Sequence, residues 1–62
     1  MAIRFEVHRS GNYSQPYYWR IVSVGNNKVL ASSETYRNKQ DAIDAFNIVF
    51  REAGSATWQD YT

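Results

Sequence analysis

Apolar and polar residues alternate from the start of the chain, with Ile3, Phe5 and Val7 on one side and Arg4, Glu6 and His8 on the other. A period of two describes a half-buried strand with one wet face, here over residues 3–9. The run Ser10-Gly11-Asn12-Tyr13-Ser14-Gln15-Pro16 follows; it is rich in turn formers and predicts a loop with a mobile tip. Residues 17–24 are dense in aromatic and β-branched side chains, which favour a second strand. Tyr17, Trp19 and Ile21 share one face, and Tyr18, Arg20, Val22 and Val24 the other. The Trp19 face is the expected core face, because the opposite one carries a charge. Gly25-Asn26-Asn27 predicts a tight hairpin, since Gly and Asn accept positive φ most easily. A third strand over residues 28–33 completes an antiparallel meander. Its inward face stays open, because Leu30 points one way and Val29 and Ala31 the other.

The period then changes. Ala42, Ile43, Phe46, Val49, Phe50 and Ala53 recur at helical spacing and form one apolar stripe. Asn38 is the expected N-cap, and Asp41 places a carboxylate in the first turn, where the helix dipole favours it. Ile48 lies off the stripe and marks a second contact surface. Gly54 is the expected stop signal. Thr57, Trp58 and Tyr61 then predict a short last strand within residues 55–62, which needs a sheet edge in its own subunit or in a neighbouring chain. The sum is an α+β architecture: a three-stranded antiparallel meander, one helix and a C-terminal strand.

Composition sharpens the question of assembly. Sixty-two residues make one domain, and a domain of this size buries only about 60% of the surface its unfolded chain exposes. Such scaffolds usually need a staple: disulfides, a metal or a partner chain. The chain has no Cys and a single His, so disulfides, thiolate zinc sites and a His-rich metal cage are excluded for one chain, and no cofactor is expected. What remains is an unusually good core or association with another chain; the high aromatic content makes association a serious option, with Trp58, Tyr61 and Ile48 as the expected dimer contacts. Seven basic residues against six acidic ones leave a formal charge of +1, short of a dedicated nucleic-acid domain. No apolar run approaches the ~20 residues of a membrane span, and the N-terminus lacks the continuous apolar run of a signal peptide. A cytoplasmic protein is the expectation.

The residues resemble the YegP-like domain family. The resemblance is carried by Phe5-Glu6-Val7, Tyr18-Trp19-Arg20-Ile21, the Asn26-Asn27 turn, Val29-Leu30-Ala31, Ser33-Glu34 with Tyr36, Asn38-Lys39 and the Ala42-Ile43 helix start. Asn27 stands where Gly is more typical of the family, and residues 13–16 make a longer first loop. Asn still accepts a left-handed conformation. The resemblance implies units of three strands, a helix and a last strand. These occur in tandem or as homodimers that form one continuous sheet and exchange their C-terminal strands. A single copy should therefore dimerise. The resemblance implies no substrate.

Candidate chemistry is sparse. Trp19 with Arg20 could stack a base and hold a phosphate, but alternation sends the two side chains to opposite faces. Core packing of Trp19 and an ion pair of Arg20, with Glu34 as the expected partner, is the simpler expectation. Glu34 and Tyr36 could line a pocket beside the helix start, or serve the loop and pack under the helix. His8 and Glu6 could act as acid and base, yet no nucleophile or second carboxylate accompanies them, and a solvated pair is expected. Tyr13, Tyr17 and Tyr18 with Arg9, Arg20 and Arg37 form an aromatic and cationic set suited to single strands. The near-neutral charge argues against that use. The expected function is a non-enzymatic homodimeric binding module with a candidate ligand surface at Arg20, Glu34, Tyr36 and Tyr18. The alternatives are single-stranded nucleic-acid binding and a weak enzyme with a pocket at the dimer seam.

Overall fold

The computed structural model describes residues 2–62. Strands β1 (Ile3–Arg9), β2 (Tyr17–Ser23) and β3 (Lys28–Ser32) precede helix α1 (Lys39–Glu52) and a single 3₁₀ turn, Ala53–Ser55. The strands form one antiparallel sheet in the order β1-β2-β3. This is the α+β meander with one helix that the periodicities predict.

Register decides which side chains meet. On β1 and β2, Phe5 faces Ile21, Val7 faces Trp19, Glu6 faces Arg20 and His8 faces Tyr18. Directly opposed residues of an antiparallel pair share a face, so the apolar residues of β1 join the Trp19 face of β2, as expected. Helix α1 covers that face. The Phe5 ring lies 6.2 Å from Trp19, 5.7 Å from Phe46 and 5.7 Å, edge-on, from Phe50. Ala42 is fully buried, and its small side chain suits a close approach of backbone to sheet.

The expected wet face of β2 fails at one position. Val22 is 2% exposed, the most completely buried of the large side chains. It stands on the central strand with Arg4 on one side and Val29 on the other, so neighbours shield it from both edges. The ambiguous phase of β3 also has a cause. Ile21 pairs with Ala31 and Val22 with Val29, which leaves Leu30 as an extra residue. A β-bulge of this kind breaks the period of two. No residue of β3 is buried, and Val29 and Leu30 are about half exposed.

The hairpin turn has its left-handed residue at Asn27, with φ 55°, a conformation that Asn adopts more readily than most side chains. Gly25 does not use that region. Asn26 Oδ1 accepts a hydrogen bond from Lys28 N at 3.1 Å. In the first loop, Asn12 Oδ1 accepts from Ser14 N, Ser14 Oγ and Gln15 N, and the segment is knitted by its own polar groups.

Two helix signals act differently from expectation. Asn38 occupies the N-cap but its side chain makes no capping bond. It donates to Asp41 Oδ2 at 3.3 Å instead, while its carbonyl accepts from Asp41 N and Ala42 N. Gly54 adopts no positive φ, and the chain leaves α1 through the 3₁₀ turn. After that turn no strand forms: residues 56–62 have no regular secondary structure and are exposed throughout. A strand exists only by pairing, and the tail reaches no edge of its own sheet. Among the described residues, the hydrogen bonds of residues 57–62 all stay within the tail, as in Thr62 N to Asp60 Oδ1 at 2.8 Å and Tyr61 OH to Gln59 Oε1 at 3.0 Å. Those from Thr62 hold the Asp60 carboxyl below its ordinary pKa.

Candidate functional site

Because α1 covers only one face of the sheet, the other stays open, and it carries the polar half of the β1 alternation. Glu6 is the hub. Its Oε2 accepts from Arg4 Nε at 2.7 Å; its Oε1 accepts from His8 Nε2 at 2.8 Å and from Arg20 Nε at 2.9 Å. The Glu6 side chain is 18% exposed, whereas those of Arg4, Arg20 and His8 are between 33% and 47% exposed. The acid thus lies under its three partners. The hydrogen bonds from His8, Arg20 and Arg4, in that order of effect, lower its pKa from 4.5 to about 2. Each charge-assisted bond favours the ionised carboxylate.

Aromatic rings extend the cluster. Tyr18 stacks on His8, with centroids 5.5 Å apart and planes 22° from parallel. At the same end of the sheet but on its helix-covered side, where register puts Arg9 and Tyr17, the Arg9 guanidinium lies 5.2 Å from the Tyr17 ring centroid, a cation–π distance. A shallow groove of about 260 Å³ lined by Val7, His8, Arg9, Tyr17 and Lys39 opens beside them. Its rim holds basic and aromatic groups and no carboxylate.

The structure splits the candidate ligand surface. Arg20 and Tyr18 lie on the open face by register, beside Glu6 and His8. Arg20 pairs with Glu6 rather than Glu34, because the antiparallel register sets Glu6 directly opposite it. Glu34 is exposed, and among the described residues its side chain makes no ion pair or hydrogen bond. Tyr36 is held by its backbone, exchanging hydrogen bonds with Tyr17 at 2.6 and 3.1 Å. This bridge, with Ser33 N donating to Trp19 O and Ser33 Oγ accepting from Trp19 N, lays the link between β3 and α1 along the end of β2. The Glu6–His8 pair is likewise no isolated solvated couple but part of a four-membered network. Its signal in the sequence is the Arg4, Glu6, His8 alternation; the fourth member, Arg20, comes from register alone.

The expected dimer contacts are open to solvent. Trp58 is 86% exposed, Tyr61 90% and Ile48 56%, and Phe50 is 67% exposed although it touches Phe5. Trp19 is buried as expected, but its Nε1 has no hydrogen-bond partner. Among the described residues no cluster of three or more His, Asp or Glu could hold a metal ion, and no helix is long and apolar enough to cross a membrane.

Fold and site together define a small α+β module with one helix-covered face and one open, cationic and aromatic face. A family model described as "Domain of unknown function (DUF1508)" matches residues 13–60, and the chain belongs to that family. YegP-like domains are members of it, in agreement with the resemblance drawn from the motifs. No curated protein and no solved structure matches the chain.

Proposed function

We propose that the protein is a non-catalytic, homodimeric interaction module in which residues 56–62 of each copy add to the sheet of the other. The observation that carries this reading is surplus surface. The chain exposes 5107 Å², whereas a folded monomer of 7.2 kDa is expected to expose roughly 4,100 Å². The surplus of about 1,000 Å² matches one side of a stable dimer interface, about 800 Å² per partner. The radius of gyration agrees: 12.9 Å against about 10.6 Å for a compact chain of this length.

The chemistry of the surplus supports the same occupant. Trp58, Tyr61, Phe50 and Ile48 are the kind of side chain that interfaces bury. β3 is the favoured acceptor, since it is an edge strand with exposed Val29 and Leu30 and no helix above it. An added strand would pair its free backbone groups and remove an aggregation hazard. Burial of Trp58 would contribute about 2–3 kcal/mol, twice in a symmetric pair. The cytoplasmic setting belongs to this proposal too, supported by the absence of cysteine.

Size-exclusion chromatography with light scattering tests the reading. The expected mass is near twice 7.2 kDa, and deletion of residues 55–62 should abolish both the dimer and cooperative unfolding. A monomer at micromolar concentration, or a truncated chain that unfolds as cooperatively as the full one, would overturn it.

A further inference from the structure

The sheet has a second edge, at β1, and all seven residues of that strand pair with β2 in one unbroken register. The flanking bonds fix its phase. Val24 N donates to Ala2 O and Ser10 N donates to Pro16 O. The even-numbered residues of β1 therefore bond to β2, since alternate residues do so in an antiparallel pair. The N–H and C=O groups of Ile3, Phe5, Val7 and Arg9 turn outward, where no strand lies among the described residues. Natural edges are commonly blunted by a bulge, a proline or shortness. β1 has no bulge, no proline and more than the usual length.

The side of this edge that α1 covers is chemically divided. Toward Ile3 it is apolar: Ile3 is 53% exposed, and Phe50, which meets Phe5 edge-on, is 67% exposed. Toward Arg9 it is cationic, because Arg9 and Lys39 line the groove of about 260 Å³ beside Val7 and no carboxylate does. On the open side the ionised Glu6 stands at the middle of the strand.

We infer that the β1 edge binds an extended peptide segment of another protein, antiparallel to β1, with an acidic residue opposite Arg9 and apolar residues opposite Val7, Phe5 and Ile3. Main-chain bonds to an exposed edge supply affinity, and alternate side chains supply selectivity. Directly opposed residues share a face, so the acid meets Arg9 and Lys39 while the apolar residues join Ile3, Phe5 and Phe50. Antiparallel addition is the more stable of the two directions. Residues opposite His8, Glu6 and Arg4 fall on the open side, where an acid facing Glu6 is disfavoured and small polar residues fit. A second copy of β1 fits poorly. Two-fold pairing over all seven residues opposes the two Glu6 carboxylates and sets Ile3 against Arg9. The inference does not rest on the dimer, whose exchanged tails take the β3 edge and leave β1 free.

The probe is the end-blocked heptapeptide Glu-Thr-Val-Thr-Val-Thr-Ile, titrated into the isotope-labelled full chain and followed by amide hydrogen exchange. Saturable slowing is expected at Ile3, Phe5, Val7 and Arg9, about tenfold when free peptide is ten times its Kd. The amides of Arg4, Glu6 and His8, already bonded to β2, should change little. N-methylation of the two valines, whose N–H groups face β1, should abolish the effect; N-methylation of the threonines should not. Arg9→Gln should weaken binding about two- to fivefold and leave a counterpart peptide with Gln in place of Glu unaffected. No slowing at millimolar peptide would overturn the inference, as would equal binding of the valine-methylated peptide. Slowing of the same four amides by higher protein concentration alone would also overturn it, marking a second copy at this edge. Mass in solution reads the dimer separately. A monomer that gains this protection defeats the dimer proposal and upholds the peptide site, and a dimer that gains none does the reverse.

Discussion

Glu6 and Arg20 are fourteen residues apart in sequence and 2.9 Å apart in space, Oε1 to Nε, on the sheet face that the helix leaves open. Register puts them there, and His8 and Arg4 close in from the same strand. One carboxylate thereby gathers two guanidinium groups and an imidazole beside the Tyr18 ring.

The first prediction concerns acid. The Glu6 pKa is lowered from 4.5 to about 2 in the folded chain. A depressed carboxylate pKa contributes stability that is fully present above the unfolded value and is lost as pH falls through the folded one. This contribution should therefore be constant above about pH 4.5 and disappear between about 4.5 and about 2. Melting temperatures of the unaltered chain and of Glu6→Gln, measured across that range, should differ at neutral pH and converge toward the acid end. A constant difference would mean that the carboxylate is not held by its neighbours.

Trp19 gives the second. Its ring packs on Phe5, and its Nε1 is buried without a partner. Trp19→Ala should cost about 3–5 kcal/mol by cavity formation, comparable to the whole stability of a domain this small. Trp19→Phe should cost far less than that, because it also removes an unsatisfied donor, itself a penalty of about 1–3 kcal/mol. Urea denaturation of both variants makes the comparison. Equal losses would mean that the indole N–H finds a partner in the assembled protein.

Asn27 gives the third. At φ 55° it occupies a region that costs most side chains roughly 1–2 kcal/mol. Asn27→Gly should leave stability unchanged or slightly higher, and Asn27→Val should lower it by about 1–2 kcal/mol. Thermal melts suffice to rank the three chains.

The fourth addresses the proposed sheet edge. Val29 is 47% exposed on β3, so a charge there costs the isolated fold little. Val29→Lys should weaken dimerisation strongly, as edge lysines do in natural sheets. Sedimentation across a concentration series reads this effect. A dimer of unchanged affinity would move the acceptor edge to β1.

The alternation of residues 3–9 and the helical stripe from Ala42 onward were legible in the sequence because each is a local periodicity that a buried face imposes. The left-handed turn at Asn27 was legible for a related reason, since few residue types, Gly and Asn chief among them, meet its backbone demand. The phase of β3 was not, because the bulge at Leu30 interrupts the period and neither face is buried. The burial of Val22 was hidden as well: it follows from being central in the sheet, a property of strand order. The Glu6–Arg20 pair, in place of the expected Arg20–Glu34 pair, depends on register between strands, and no local pattern encodes that.

The sequence by itself thus determined the three meander strands and the helix, the apolar faces of β1 and α1 and the membership of the family, since these rest on spacing along one chain, whereas the last strand it predicts does not form. Tertiary structure alone decided which charges meet, that Arg4, His8 and Arg20 converge on Glu6 on the face the helix leaves bare, and that the aromatic tail finds no edge in its own subunit. Those outcomes depend on distances between residues remote in sequence, which only strand pairing and helix docking establish.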